Sequence, residues 1–200
     1  SAHGGGFLYA LATQLGIPAP DVMVSSSGDG ATTLYFCSGQ YESIKRIWTE
    51  LLSTPKFISP LRFWRVMNID YLVDTVCKNQ EPLDVPRLNS SPVDWFVPIE
   101  DFDTGQTRYV SAKDALDPFE IMRATTAIPI FFGQKVPVAD KRYVDGERGP
   151  VLQDHVTQAL RQGVKRILVI NHTSPWTVVS HAVLKGYAAH TPKGMHDAII

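Results

Sequence analysis

Two hundred residues, 44% of them apolar and 10% aromatic, suffice for one domain with a real core, which excludes a disordered chain. Nineteen basic residues stand against 20 acidic ones for a net charge of −1, with no long run of either sign, so the electrostatic footprint of a nucleic-acid binder is missing. No apolar stretch approaches the ~18 residues of a membrane span, and the expectation is a cytoplasmic chain or one that works peripherally at a membrane surface. Cys37 and Cys77 are too few for a disulfide framework and lack C-x-x-C spacing, and the six histidines form no H-E-x-x-H pair. Buried thiols are expected, with no metal and no cofactor.

In chain order, Phe7, Leu8, Leu11 and Leu15 recur at helical spacing and Gly16 supplies a stop, so a helix over 6–15 leads to the first strand. Gly4-Gly5-Gly6 reads as a flexible start or a tag remnant, with an anion-binding loop as the alternative. The stretch Asp21-Val-Met-Val-Ser-Ser-Ser-Gly-Asp-Gly-Ala31 is a short apolar run that breaks into a turn of small residues and reopens as a helix to about 38. Its serines fall where strand becomes helix. At such a junction an α/β sheet can hold a nucleophile, because the turn is tight and the hydroxyl emerges beside the N–H groups of a helix N-terminus. The commoner meaning of such a cluster is a loop with N-caps.

A second helix is predicted over 41–52, where Ile44, Ile47, Trp48, Leu51 and Leu52 share a face. Residues 61–77 carry many large apolar groups with Arg62 and Arg65 among them; packed core is the preferred reading, and a lid or lipid-facing helix the alternative. An irregular connection over 81–92 precedes two strands, 94–99 and 107–111, around the turn Asp103-Thr-Gly105. Pro98 inside the first of them predicts an edge position or a bulge. A helix over 117–127, a short hairpin around Ala139-Asp140, a strand closed by Asp145-Gly146, a helix over 151–162 and a buried strand over 164–170 complete the pattern. Helices alternating with apolar strands predict an α/β fold of three layers, α/β/α, with a mostly parallel central sheet.

Together these segments resemble the patatin-like phospholipases, lipid acyl hydrolases of bacterial type among them. Ile121-Met-Arg-Ala-Thr-Thr-Ala-Ile-Pro-Ile-Phe-Phe132 is similar to that family's R-A-S-x-A-I-P-x-x-F, and Arg142-Tyr-Val-Asp-Gly146 to its Y-x-D-G-G/A. The 101–111 hairpin resembles its T-D-x-x-T-G-x-x-x-x-F-S segment. The likeness runs from about Gly6 to Ile170. It implies a single patatin-like domain over 1–200 that hydrolyses carboxylic esters of glycerolipids through a Ser/Asp dyad without cofactor or metal. The implied partner is a lipid or membrane-surface substrate, with no nucleic acid; protein partners stay open.

By that resemblance Asp145 takes the aspartate position. Counting from Asp21 or back from Ser38-Gly39 puts Ser27 in the serine position, whereas counting back from Tyr35 selects Ser26. Gly28 N–H would then donate to the oxyanion. Four features depart from the family pattern. Ser25 replaces the first glycine of G-x-S-x-G, and Asp29 sets a carboxylate two residues beyond the nucleophile, where it would repel negative charge. Glu147 stands for the second small residue of D-G-G/A. The oxyanion loop G-G-G-x-R/K-G has no counterpart, because His3-Gly-Gly-Gly-Phe-Leu8 matches the helix that follows it; a fragment truncated at both ends is expected, with that loop upstream. These departures sustain an alternative, a catalytically impaired domain that binds lipid or protein. His172, after the predicted 164–170 strand, would offer a Ser-His-Asp triad instead. A nucleotide-binding module lacks both G-x-G-x-x-G and a P-loop. In a dyad the aspartate is itself the base, and burial would be needed to lift its pKa above the ordinary value of about 3.9.

Overall fold

The computed structural model of the chain describes residues 2–17, 19–62, 65–146 and 151–170. Its centre is a long strand, β2 (Asp94–Asp101), buried from its second residue to its last. Strand β3 (Thr107–Ser111) returns antiparallel to it through the predicted turn. Strand β1 (Val22–Val24) pairs parallel with 94–96 of β2, and β5 (Lys141–Asp145) antiparallel with 99–101. β4 (Val136–Val138) closes the sheet as the hairpin partner of β5, with Ala139 at φ +54 in the tight turn between them.

The register fixes which side of β2 each neighbour occupies. Phe96 faces both Val24 and Ser111, and Ile99 faces both Asp145 and Arg108. β3 therefore lines one whole side of β2, while β1 and β5 share the other. β1 runs with β2 and β5 against it, so their carboxyl ends point at each other across a gap. Phe96 and Ile99, the β2 partners of Val24 and Asp145, are three residues apart, or about 10 Å of strand. Pro98 lies in that gap. The sequence predicts an edge strand or bulge for it, yet it sits in the central strand. Backbone groups alternate sides along a strand, and Asp94 N–H and Phe96 O both face β1, so the missing N–H of Pro98 faces the gap, where none of the described strands requires a donor.

Helices cover both faces. α2 (Ser27–Cys37) and α5 (Pro118–Thr125) press on the Val97 face: a Cβ on Gly30 would meet Val97 Cγ1 at 3.1 Å and Thr125 Cγ2 at 3.0 Å. On the opposite face α7 (Val151–Arg161) reaches Tyr109 of β3, whose hydroxyl lies 2.8 Å from His155 Nδ1. The three-layer α/β/α arrangement is thus present. The sheet is mixed, with one parallel and three antiparallel pairings among the described strands, where a mostly parallel one is predicted. Part of the difference lies in 164–170, which forms no strand: Ile167, Leu168 and Val169 are 41%, 67% and 45% exposed.

The amino-terminal helix also departs from expectation. α1 (Ala2–Thr13) takes in all three glycines and stops before Leu15, which is exposed. Gly4 and Gly5 are buried contact points. A Cβ on Gly4 would sit 2.4 Å from Asp29 Oδ1, and one on Gly5 2.6 Å from Trp48 Cδ1. Gly16, at φ +60, ends the helix in the left-handed conformation, and Ile17 N–H reaches back to Leu11 O at 3.1 Å.

α3 (Tyr41–Arg46) continues as a π-helical turn over Ile47–Leu51, close to the predicted 41–52. The 61–77 stretch is not one helix. A loop bridged at Ile58 and Met67 is tied by the Arg62 guanidinium to the carbonyls of Lys56 and Phe57, and Leu61 there is 83% exposed. A π-helix, Tyr71–Gln80, then buries Leu72, Val73, Val76 and Cys77, as the core reading expects. Cys37 and Cys77 are buried free thiols, each pushed by burial up to about 12. No helix among the described residues is long and apolar enough to cross a membrane.

Candidate active site

The gap beside β2 is where the serine turn lies. Ser25 N–H extends the β1 ladder to Phe96 O, and its hydroxyl donates to Thr33 Oγ1 at 2.7 Å. Ser26 is extended, at φ −124 and ψ 164, and its carbonyl accepts from the N–H groups of Asp29 and Gly30. It occupies the N-cap position of α2 without a side-chain capping bond, so a serine cap is not what this cluster supplies.

Ser27, the first residue of α2, stands at φ +54. A non-glycine residue in the left-handed region costs about 1–2 kcal/mol, and something must hold it there. The holder is Thr125: its Oγ1 accepts from Ser27 N–H at 3.0 Å and donates to Pro98 O at 3.1 Å. One buried hydroxyl thus joins the serine turn, the end of α5 and the central strand. Ser27 Oγ itself makes no hydrogen bond among the described residues. Gly28 follows as the second residue of α2, where a helix leaves its N–H groups without intrahelical acceptors.

Asp145 approaches from the opposite side of the gap. It ends β5 opposite Ile99, is 7% exposed, and donates its N–H to Ala127 O at 3.1 Å. Gly146 presses on the same Pro98 peptide, since a Cβ there would lie 2.8 Å from Pro98 O. The Ser27 turn and Asp145 are therefore hung from one short stretch, Thr125 to Ala127, and from one peptide of β2.

Asp29, which the sequence sets beside the reacting centre, turns its carboxylate onto Gly4 in the first turn of α1, where a helix favours negative charge. Phe132 is buried in the core with the Arg65 guanidinium 5.3 Å from its ring centroid. His172 and Glu147 lie outside the described residues. Thr125 is the site residue that sequence reasoning missed. Its only signal was its position in Arg123-Ala-Thr125, where the family pattern has R-A-S. No group of three or more His, Cys, Asp or Glu side chains suited to a metal occurs among the described residues.

Comparison with known proteins agrees with this architecture. The chain is 25% identical over 165 residues to the uncharacterized protein YjjU of Escherichia coli (strain K12), a match that takes in 75% of this chain and 43% of that protein. The chain therefore spans less than half the length of that relative. A family model for the patatin-like phospholipases matches residues 2–151, the span that holds α1, the serine turn, the Thr125 segment and Asp145. The chain belongs to the patatin-like phospholipase family.

Proposed function

We infer that the protein is a serine-dependent lipid acyl hydrolase in which Ser27 is the nucleophile and Asp145 the base. The observation that carries this reading is the strained Ser27 backbone, φ +54 at a strand-to-helix turn, facing the buried end of β5 across a gap in the sheet. Strain of this kind persists where surrounding structure enforces it, and it exposes a side chain at a tight turn. Ser26 lacks the strain, being extended, which supports the choice of Ser27.

The chemistry follows from these groups. Ser27 Oγ attacks the ester carbonyl carbon while Asp145 takes the hydroxyl proton, and the carbonyl oxygen becomes an oxyanion. Gly28 N–H, at the start of α2, donates to that oxyanion. Collapse breaks the bond to the alcohol oxygen, which leaves with the proton from Asp145. Water then attacks the acyl-serine, with Asp145 again as base, and releases the fatty acid. The substrate class is the carboxylic ester of a glycerolipid, in keeping with the family.

Two of the four departures from the family pattern weigh little against activity, whereas the absence of the glycine-rich oxyanion loop predicts weak activity for this stretch of chain by itself. Ser25 commits its hydroxyl to Thr33, and the Asp29 carboxylate is lodged on Gly4. A short-chain nitrophenyl ester assay tests the reading. Ser27→Ala and Asp145→Asn are expected to lower kcat by at least about a hundredfold, with Ser26→Ala within a few-fold of the wild type. Equal background rates in the wild type and all three variants would leave only the alternative, a catalytically impaired domain that binds lipid or protein.

A further inference from the structure

One loop holds apolar side chains out into solvent. Residues 51–69 include Lys56, Arg62 and Arg65 but no Asp or Glu. The acids on either side are already engaged: Glu50 lies 3.6 Å from Arg46, and Asp70 pairs with Arg65 and Arg123. Among the described residues no carboxylate pairs with Lys56 or Arg62, so the loop carries uncompensated positive charge.

The base of the loop is fixed. Phe57 is buried, Ser59 N–H donates to Val66 O at 2.9 Å, and Asn68 N–H donates to Phe57 O at 2.7 Å. Arg62 N–H closes a turn onto Ser59 O at 3.1 Å, which puts Pro60 and Leu61 at its tip. Leu61 is the most exposed large apolar residue among those described, and Ile58 beside the turn is 49% exposed. A single exposed leucine means little, but here two large apolar side chains and a proline stand together on a hydrogen-bonded support. The loop also adjoins the candidate site. Met67 N–H donates to Phe131 O at 2.9 Å, in the short helix Pro129–Phe132. That helix leads from Ala127, whose carbonyl accepts from Asp145 N–H, towards β4, which starts opposite Tyr143 near the carboxyl end of β5. The base of the loop therefore stands at the sheet edge that carries Asp145.

We propose that this loop docks the protein on an anionic membrane surface, with Ile58 and Leu61 entering the acyl boundary and Lys56 and Arg62 facing the headgroups. Apolar groups flanked by cations without acid partners match such a surface in both layers: the tip leaves water for hydrocarbon, and the cations stay at the level of the lipid phosphates. That docking brings ester substrate to Ser27 rests on the hydrolase reading; the docking itself does not.

The experiment sediments the 200-residue protein with vesicles of ether-linked phosphatidylcholine, alone or with about a third ether-linked phosphatidylglycerol, lipids without a carboxylic ester to cleave. Partition to the anionic vesicles is expected to be at least about tenfold stronger than to the neutral ones, and to fall steeply as salt rises to about 0.5 M. Leu61→Asp should weaken it by at least about tenfold and Lys56→Glu by about fivefold. Leu160→Asp, which alters another exposed leucine on α7 at the opposite face of the sheet, should stay within about twofold of the wild type. Melting curves establish that each variant is folded; should Leu61→Asp fail to fold, Lys56→Glu carries the test. Equal binding to neutral and anionic vesicles, unchanged binding in Leu61→Asp, or an equal loss in Leu160→Asp would overturn the proposal, and no binding to either vesicle would leave the tip as a protein contact. A soluble nitrophenyl ester keeps the two readings apart. A wild type that binds vesicles in this way but cleaves no ester retains the docking and loses the hydrolase, and one that cleaves the ester without binding does the reverse.

Discussion

At the residue scale the site turns on Thr125. Its hydroxyl accepts from Ser27 N–H, donates to Pro98 O and has no exposure. Thr125→Val keeps the volume but removes both bonds, leaving a buried N–H and a buried C=O without that partner. Unmade buried hydrogen bonds cost about 1–3 kcal/mol, so a fall in stability of that order is expected from denaturant midpoints. If Ser27 is the nucleophile, kcat falls as well while KM holds, because the turn relaxes from its strained geometry. Thr125→Ser retains the hydroxyl and is expected to restore both. A Thr125→Val protein with wild-type kcat would mean that the φ of Ser27 is set elsewhere. The family resemblance pointed to Ser27 and Asp145 as candidates, but the role of Thr125 was not readable beyond its place in Arg123-Ala-Thr125, since a hydroxyl that bridges segments so distant in the chain leaves no local pattern of its contacts.

At the element scale, α1 and α7 show two ways in which local signals misjudge a helix. Three successive glycines should weaken a helix by roughly 1 kcal/mol each relative to alanine, so propensity places them in a loop. Close approach to Asp29 and Trp48 overrides that preference: a Cβ at Gly5 would strike the Trp48 ring, and one at Gly4 would displace the Asp29 carboxylate. α7 was legible as a helix, whereas its docking was not, because the Tyr109–His155 contact is tertiary. Burial lowers the His155 pKa below the ordinary histidine value, with Asp154 opposing. The depressed value means that the unfolded chain binds the proton first. His155 therefore contributes stability that is complete above about pH 6.5 and is lost as the pH falls through the lower folded value. Between pH 7.5 and 5 the wild type should lose more stability than His155→Phe, measured by urea midpoints at each pH. Equal losses would show that His155 titrates alike in both states.

At the scale of the whole molecule, one strand organises everything. β2 receives β3 along one side and shares its other side between β1 and β5, and the gap between those two is where the Ser27 turn and Asp145 converge. Crevices outside the carboxyl ends of strands are where open α/β sheets bind ligands, and here two such ends face each other. The alternation of helices and strands was readable from hydrophobic period, so the layered fold was legible. Strand direction was not, because a short apolar run fits a parallel strand, an antiparallel strand or a coil equally well. The 164–170 run is the sharpest instance: its sequence is strand-like, yet it forms no ladder and Leu168 is largely exposed. Native-state hydrogen exchange separates the two possibilities for that run. Backbone amides exchange slowly only when hydrogen-bonded and sheltered, so those of β2 should be among the slowest in the chain and those of 164–170 among the fastest. Protection at 167–169 matching that of 97–99 would instead put the run in a sheet, and the edge of β1, which among the described strands has β2 on one side only, is the place where it would add.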